Sequence, residues 1–364
     1  MSIDGKISAR QIAWLVVTIR TAVVLAGIAS LRAGVGRDAW ISEIIGVMLM
    51  IGMAWLMVTL CMRFPDKSII EISEAILGKF LGKLIGIGVL WFFLFATASL
   101  IRELGELMTT VFMPETPIIV FLSLITLLSA YAVRMGVESI ARVNDVFFLV
   151  VITMFGILWA LVYKELNFAS NLLPIYVEAG WPMIAKGGIV VAAGFMLVLA
   201  IGMIFPYVNQ QKRVFKMTLL GLIIQGIIIT GTTIIVITEF GPAQAEMLNF
   251  HGIAVTRVIA VAEFLERVDA IFMTVWIISS FVKIALFYYC FVLGLGQVFN
   301  LEAVNFLIVP SGALMIALGM ASFQSFPQLI NFFAAGWVVH NWLFLFFIPV
   351  GLLFLSIILK KKES

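Results

Sequence analysis

The chain has 364 residues, 63% of them hydrophobic and only 12% charged. Water-soluble domains run at about half apolar and about a quarter charged, so this composition excludes a soluble globular enzyme. It also excludes an aqueous domain on a single anchor, because no stretch is polar for long enough. The formal net charge of +3, with basic residues scattered through loops, excludes a nucleic-acid partner.

A bilayer crossing needs about 20 apolar residues, so ten crossings consume roughly 200. Hydropathy predicts spans at 9–31, 41–62, 84–112, 117–136, 144–163, 187–208, 216–238, 269–296, 303–322 and 337–359. The first run contains Ala26-Gly-Ile-Ala-Ser30, which resembles a leader cleavage site. Arg20 interrupts that run and further spans follow it, so it reads as a retained helix.

Between spans, Arg63-Phe-Pro-Asp66 ends the second, and Ile69 to Leu77 reads as a short interfacial helix with Asp66 and Ser68 as candidate caps and Gly78 as its stop. Pro114-Glu-Thr-Pro117 makes a tight reversal between the third and fourth spans. Residues 167–186 form a longer connection. The longest runs from Glu239 to Asp269, and its periodic Val255, Val258, Ile259, Ala262, Phe264 and Leu265 predict an amphipathic surface helix.

Lys and Arg concentrate in the loops on the side that carries both termini, at Lys6, Arg10, Arg63, Lys67, Lys212, Arg213 and Lys360 to Lys362 among others. The opposite side has Arg32, Arg37, Lys164, Lys186, Arg257 and Arg267. Both termini are therefore expected in the cytoplasm. Ten spans divide into two sets of five, 9–163 and 187–359, and an odd number inverts the second set relative to the first. The expected fold is all-α and integral to the membrane, a single domain over 1–364.

A charge deep in a bilayer is costly unless it is paired or wet, which makes each one a functional candidate. Lys283 lies about fourteen residues into its span, roughly 21 Å deep, too far to snorkel to either surface. Arg20 lies about eleven residues into the first span. Both are expected to face the interior, where each can meet a ligand or simply neutralise a buried carboxylate. The third span carries Arg102, Glu103 and Glu106, and the i,i+4 spacing of Arg102 and Glu106 lets that pair satisfy itself. Small residues at Ala26-Gly-Ile-Ala-Ser30 and at Ala192-Ala-Gly194 occupy corresponding places in the two halves. They suit either close helix packing or unwound backbone aimed at a ligand.

Cys61 and Cys290 lie inside apolar runs and suggest neither a disulfide nor a CxxC metal pair. His251 and His340 have no ligand at metal spacing, so no metal and no cofactor is expected. No phosphate loop, triad or HExxH motif is present, and enzymatic activity is not expected.

Local patterns then coincide in order: Gln11, Asp38-Ala-Trp-Ile-Ser42, Arg63-Phe-Pro65, Arg102 with Glu106, Pro114-Glu-Thr-Pro117, Gly136-Val-Glu138, Asn171-Leu-Leu-Pro174, Phe264 to Asp269, Trp276 and Lys283. Over nearly the whole chain this resembles the B subunit of endospore nutrient germinant receptors, a branch of the amino acid, polyamine and organocation transporter superfamily. The resemblance implies ten helices with the first and sixth broken around a midplane nutrient site, a spore inner-membrane location, and A and C partner subunits. Candidate ligand-binding residues are Arg20, Thr21, Ala22 and Gly27 in the first span and Arg102 and Glu106 in the third. Gly194 and Phe195 in the sixth and Lys283 and Phe287 in the eighth complete the set.

Two departures bear on the ligand. Ala22 stands where relatives carry glycine, and Phe195-Met196 stands where many carry an acid. Fewer polar groups are then expected to hold an ammonium or a carboxylate. The chain reads as a nutrient sensor that binds a small molecule such as an amino acid, with a working symporter and a passive scaffold as rival readings.

Overall fold

The computed structural model describes residues 5–26, 28–162, 178–248, 250–258, 268–325, 328–329, 332–333 and 336–361. All ten expected crossings correspond to helices. Nine are long and apolar enough to span a membrane among the described residues. The first is α1 (Ala9–Ala26), followed by the short α2 (Ala29–Arg32), with Ile28 between them in extended backbone at φ −78°, ψ 111°.

Span 2 is α3 (Ala39–Arg63). The short α4 (Ile69–Leu77) follows, and the Ser68 hydroxyl and Glu71 carboxylate close a reciprocal capping box at its start. Gly78 stops α4 at φ 80°, a conformation that glycine adopts without Cβ strain. Ser68, rather than Asp66, is thus the cap. The Ile69, Ile70, Ile72 and Ile76 side chains are buried, with α4 packed along the next helix, so its apolar face is covered by protein.

Spans 3, 4 and 5 are α5 (Lys79–Leu107, extended by a π-helical turn over Met108–Phe112), α6 (Ile118–Met135) and α7 (Val137–Val162). Span 6 is broken into α8 (Trp181–Ala193) and α9 (Leu197–Ile204). Span 7 is α10 (Val214–Phe240), and two short helices follow, α11 (Pro242–Met247) and α12 (His251–Val258). Spans 8 and 9 are α13 (Val268–Phe299) and α14 (Ile308–Ser322). Span 10 is α15 (Gly336–Trp342), a π-helical turn over Leu343–Phe347, and α16 (Ile348–Ile358).

Spans 3, 5 and 6 begin earlier than expected, at Lys79, Val137 and Trp181, and the α-helix of span 9 begins later, at Ile308. The surface helix expected near 255–267 begins earlier, at His251, and residues 259–267, including Phe264 and Leu265, lie outside the described set.

The packing is nearly two-fold. α1 lies against α10 as α8 lies against α3, while α5 meets α14 as α6 meets α13. One group of helices therefore comprises spans 1, 2, 6 and 7, and another comprises spans 3, 4, 8 and 9. The groups meet chiefly through α1 on α13. Burial ranks the spans accordingly: the apolar windows of spans 6 and 8 are 83% buried inside the protein, against 28%, 22% and 28% for spans 4, 5 and 9. Lipid-facing surface thus falls to the outer spans, where Leu124, Leu127, Tyr131 and Leu149 point outward.

A two-residue parallel ladder joins β1 (Ile7–Ser8) to β2 (Val208–Asn209). Beside it, the Gln11 side chain donates from Nε2 to Asp145 Oδ2 at 2.9 Å and accepts from the Ser8 backbone N–H at 2.8 Å.

Candidate functional site

The site is built on two interrupted helices. α8 ends at Ala193, and its last turn closes with backbone bonds from Gly194 to Val191 and from Phe195 to Ala192. A helix end inside a bilayer leaves carbonyls without partners, and these must be satisfied by protein. Asn341 of α15, fully buried, donates from Nδ2 to the Ala193 carbonyl at 2.8 Å, and Trp342 Nε1 donates to Ile189 O at 3.1 Å.

The interruption in span 1 is held from another direction. The Ile28 N–H donates to His251 Nδ1 at 3.2 Å, while His251 Nε2 lies 3.0 Å from the Ala245 carbonyl. Those partners call for a neutral imidazole protonated on Nε2.

A charge sits at each interruption. Arg20, on α1 and 2% exposed, lays Nη1 against Gly194, where a side-chain carbon would overlap it. That contact accounts for glycine at position 194. Glu43, on α3 and fully buried, accepts a hydrogen bond from the Ser30 hydroxyl of α2, beyond the interruption in span 1. Arg20 and Glu43 attract one another electrostatically. They nevertheless form no ion-pair contact: Arg20 Nε and Nη1 and Glu43 Oε2 are buried without any hydrogen-bond partner.

Lys283, on α13 and 3% exposed, is attracted by Glu103 of α5 and repelled by Arg20. On its face of α13, one and two turns earlier, the Ser279 hydroxyl and the Trp276 indole N–H are also buried without partners. Buried polar groups are ordinarily satisfied. Unpartnered buried atoms occur on several spans, and those on Arg20, Glu43, Trp276 and Ser279 lie on spans 1, 2 and 8.

The other expected residues divide between this place and its surroundings. Thr21 donates its hydroxyl to Val17 O at 2.9 Å, so it is satisfied within its own helix. Ala22 lies in α1, and Gly27 lies outside the described residues. Arg102 and Glu106 close on one another, with Nε to Oε1 at 2.8 Å and Nη2 to Oε1 at 2.5 Å, and Arg102 Nη1 reaches Met320 Sδ at 3.3 Å on span 9. Phe195 is fully buried at the span 6 interruption, and Phe287 is buried edge-on to Phe93 with centroids 5.8 Å apart.

Glu43 brings an acid from span 2 to the far side of the interruption in span 1. Sequence reasoning missed Glu43, Asn341 and His251. Glu43 lies near the start of its apolar run and reads as a lip residue. Its one local signal is the charge itself, in a helix otherwise free of charge until Arg63.

Residues 6–327 match a family described as spore germination protein. Spore germination protein KB of Bacillus subtilis (strain 168) is 28% identical over 299 residues, covering 81% of this chain and 80% of that protein. Among solved structures, a Na+-coupled sialic acid symporter in a substrate-bound outward-open state superposes with a TM-score of 0.69 at 11% identity, covering 94% of this chain and 80% of its own. A nucleobase-cation symporter closed on bromovinylhydantoin superposes at 0.63 and 13% identity, covering 90% and 74%. The two symporters share the fold of broken first and sixth helices described above, and the match over most of the sequence establishes descent: this chain belongs to the spore germination protein family.

Proposed function

We propose that the chain is the nutrient-sensing B subunit of a spore germinant receptor. It works in the spore inner membrane with both termini in the cytoplasm, beside A and C subunits. A small nutrient such as an amino acid binds at the seam between the helix groups, around the interruptions in spans 1 and 6, and favours one arrangement of the helices. That shift passes to the partner subunits. The observation that carries this reading is the set of buried charges with unpartnered atoms at the two interruptions, on Arg20 and Glu43, with Lys283 within electrostatic reach. A ligand moves such an equilibrium only by its differential affinity for the two states, and fixed charges beside a movable half-helix supply that difference.

A symporter is the second reading, favoured by the fold it shares with the two transporters. Vesicles reconstituted with the full chain separate the two. Saturable binding without accumulation of label supports sensing, whereas concentrative uptake supports transport. In spores that carry this chain's gene cluster as their sole receptor, Lys283→Met is expected to abolish the nutrient response while protein abundance falls less than twofold. Parallel loss of abundance and response would reduce Lys283 to a structural ion pair.

A further inference from the structure

The outer surface carries a groove between spans 2 and 7. Trp55, Val58, Thr59 and Met62 recur at every third or fourth position of α3 and so share one of its faces. Gln211, Lys212 and Phe215, from the turn that opens span 7, form the facing wall. α3 and α10 pack side by side and run antiparallel, since Gly226 of α10 meets Val47 while Phe215 meets the end of α3. Lys212 therefore stands at the surface end of the groove. Trp55 stands at the deep end, about 12 Å inside Arg63 at about 1.5 Å per residue, and is exposed there, as is Met62 nearer the mouth.

The groove holds about 280 Å³. Enclosed sites for whole small molecules run at about 300–1,000 Å³, so an open slot of this size suits one segment of a longer molecule, such as an acyl chain. Charge then selects among lipids. From Ile44 to Pro65 and from Phe205 to Thr238 there is no Asp or Glu, whereas Arg63, Lys212, Arg213 and Lys216 gather at the mouth end. Lys212, Arg213 and Lys216 are exposed and make no ion pair among the described residues. A lysine at the membrane boundary lays its methylenes on apolar surface and presents its ammonium to the headgroups, and a basic cluster there attracts anionic lipid.

We propose that this groove seats one anionic phospholipid of the leaflet on the amino-terminal side, with its phosphate on the Lys212 ammonium and one acyl chain along Phe215, Val58 and Trp55. The leaflet follows from the neighbouring Val208–Asn209 strand, which pairs with Ile7–Ser8. Gln211 of the same turn donates from Nε2 to Pro65 O at 2.8 Å and to Phe205 O at 3.2 Å, tying the ends of spans 2 and 6 to the start of span 7. A lipid seated against that turn braces the same corner from outside.

The test titrates the full chain, in a non-ionic detergent, with phosphatidylglycerol, phosphatidylcholine and glycerol phosphate, read by native mass spectrometry and by unfolding temperature. One phosphatidylglycerol is expected to be retained about fivefold more tightly than phosphatidylcholine, the preference that one basic residue near the surface supplies, and to raise the unfolding temperature. Glycerol phosphate, a headgroup without chains, is expected not to bind. Lys212→Gln is expected to lose the preference. Thr59→Phe fills the slot, leaves every charge in place and is expected to lose that lipid. Thr59→Cys reports on the place itself, because Cys61 and Cys290 are buried: its reaction with a maleimide is expected to slow about fivefold with phosphatidylglycerol and not with phosphatidylcholine.

Equal retention of the two lipids by the native chain overturns the site. Glycerol phosphate bound as tightly as the lipid also overturns it, in favour of a free-phosphate site. Undiminished retention by a folded Thr59→Phe does the same, in favour of diffuse attraction to the basic turn. Should Thr59→Phe fail to fold, Thr59→Cys decides the matter, and an unslowed reaction overturns the proposal. None of these outcomes touches the nutrient-sensor reading.

Discussion

The Arg20 guanidinium occupies the space that a side chain at position 194 would need. Adding one methyl group in Gly194→Ala forces the guanidinium tip away from this place. Spores bearing that variant are expected to require roughly tenfold more nutrient for half-maximal germination. Arg20→Lys, with a narrower head, is expected to restore part of the response in the double variant. A dose-response series on all three strains checks both expectations, and simple additivity of the two losses would mean the contact is incidental. Arg20 and Lys283 were legible in the sequence because an isolated charge deep in an apolar run stands out. Glu43 was not, since its depth depends on how α2 folds over the start of α3, and that closure is tertiary. His251 was equally hidden: its role is a bridge between Ile28 and Ala245, residues far apart in the chain.

Helix interruptions survive in lipid only where other elements take up the freed backbone groups. Span 6 relies on Asn341 from span 10. Asn341→Leu removes that donor and strands a buried carbonyl, at a cost of about 1–3 kcal/mol. The purified variant is expected to unfold at a lower temperature than the native chain, and a cysteine placed at Phe195 is expected to react faster with a thiol reagent in that background. Unchanged reactivity would show that the interruption holds itself. α4 offers a control remote from the site: Ser68→Ala breaks its capping box, is expected to cost about 0.5–2 kcal/mol, and should leave nutrient sensitivity intact in the same germination assay. At this scale the spans were legible because hydropathy integrates over a whole crossing. Their starts at Lys79, Val137 and Trp181 were not, because Lys79, Lys83, Glu138, Arg142 and Lys186 lie within the first turns or soon after and lower the hydropathy of a window placed there. The small residues Ala192-Ala-Gly194 announced one interruption correctly. In span 1 the corresponding stretch, Ala26 to Ser30, contains extended backbone at Ile28.

Across the molecule, two groups of four helices meet along α1 and α13, and spans 6 and 8, whose apolar windows are each 83% buried, border the charged seam. The odd number of spans in each half implied only that the second half, if it repeats the first, is inverted. The packing partners were not foreseeable, because an apolar helix surface carries little record of which neighbour it meets. The β1–β2 ladder was also invisible in advance, being two residues on each side with no strand-like alternation. It fastens the entrance of span 1 to the exit of span 6, so the two interrupted helices share a yoke at the end where both lie close to the N-terminus. A displacement of α9 therefore tugs the amino-terminal tail directly, without passing through the rest of the barrel of helices. Any neighbouring subunit that grips that tail would feel the sixth helix move.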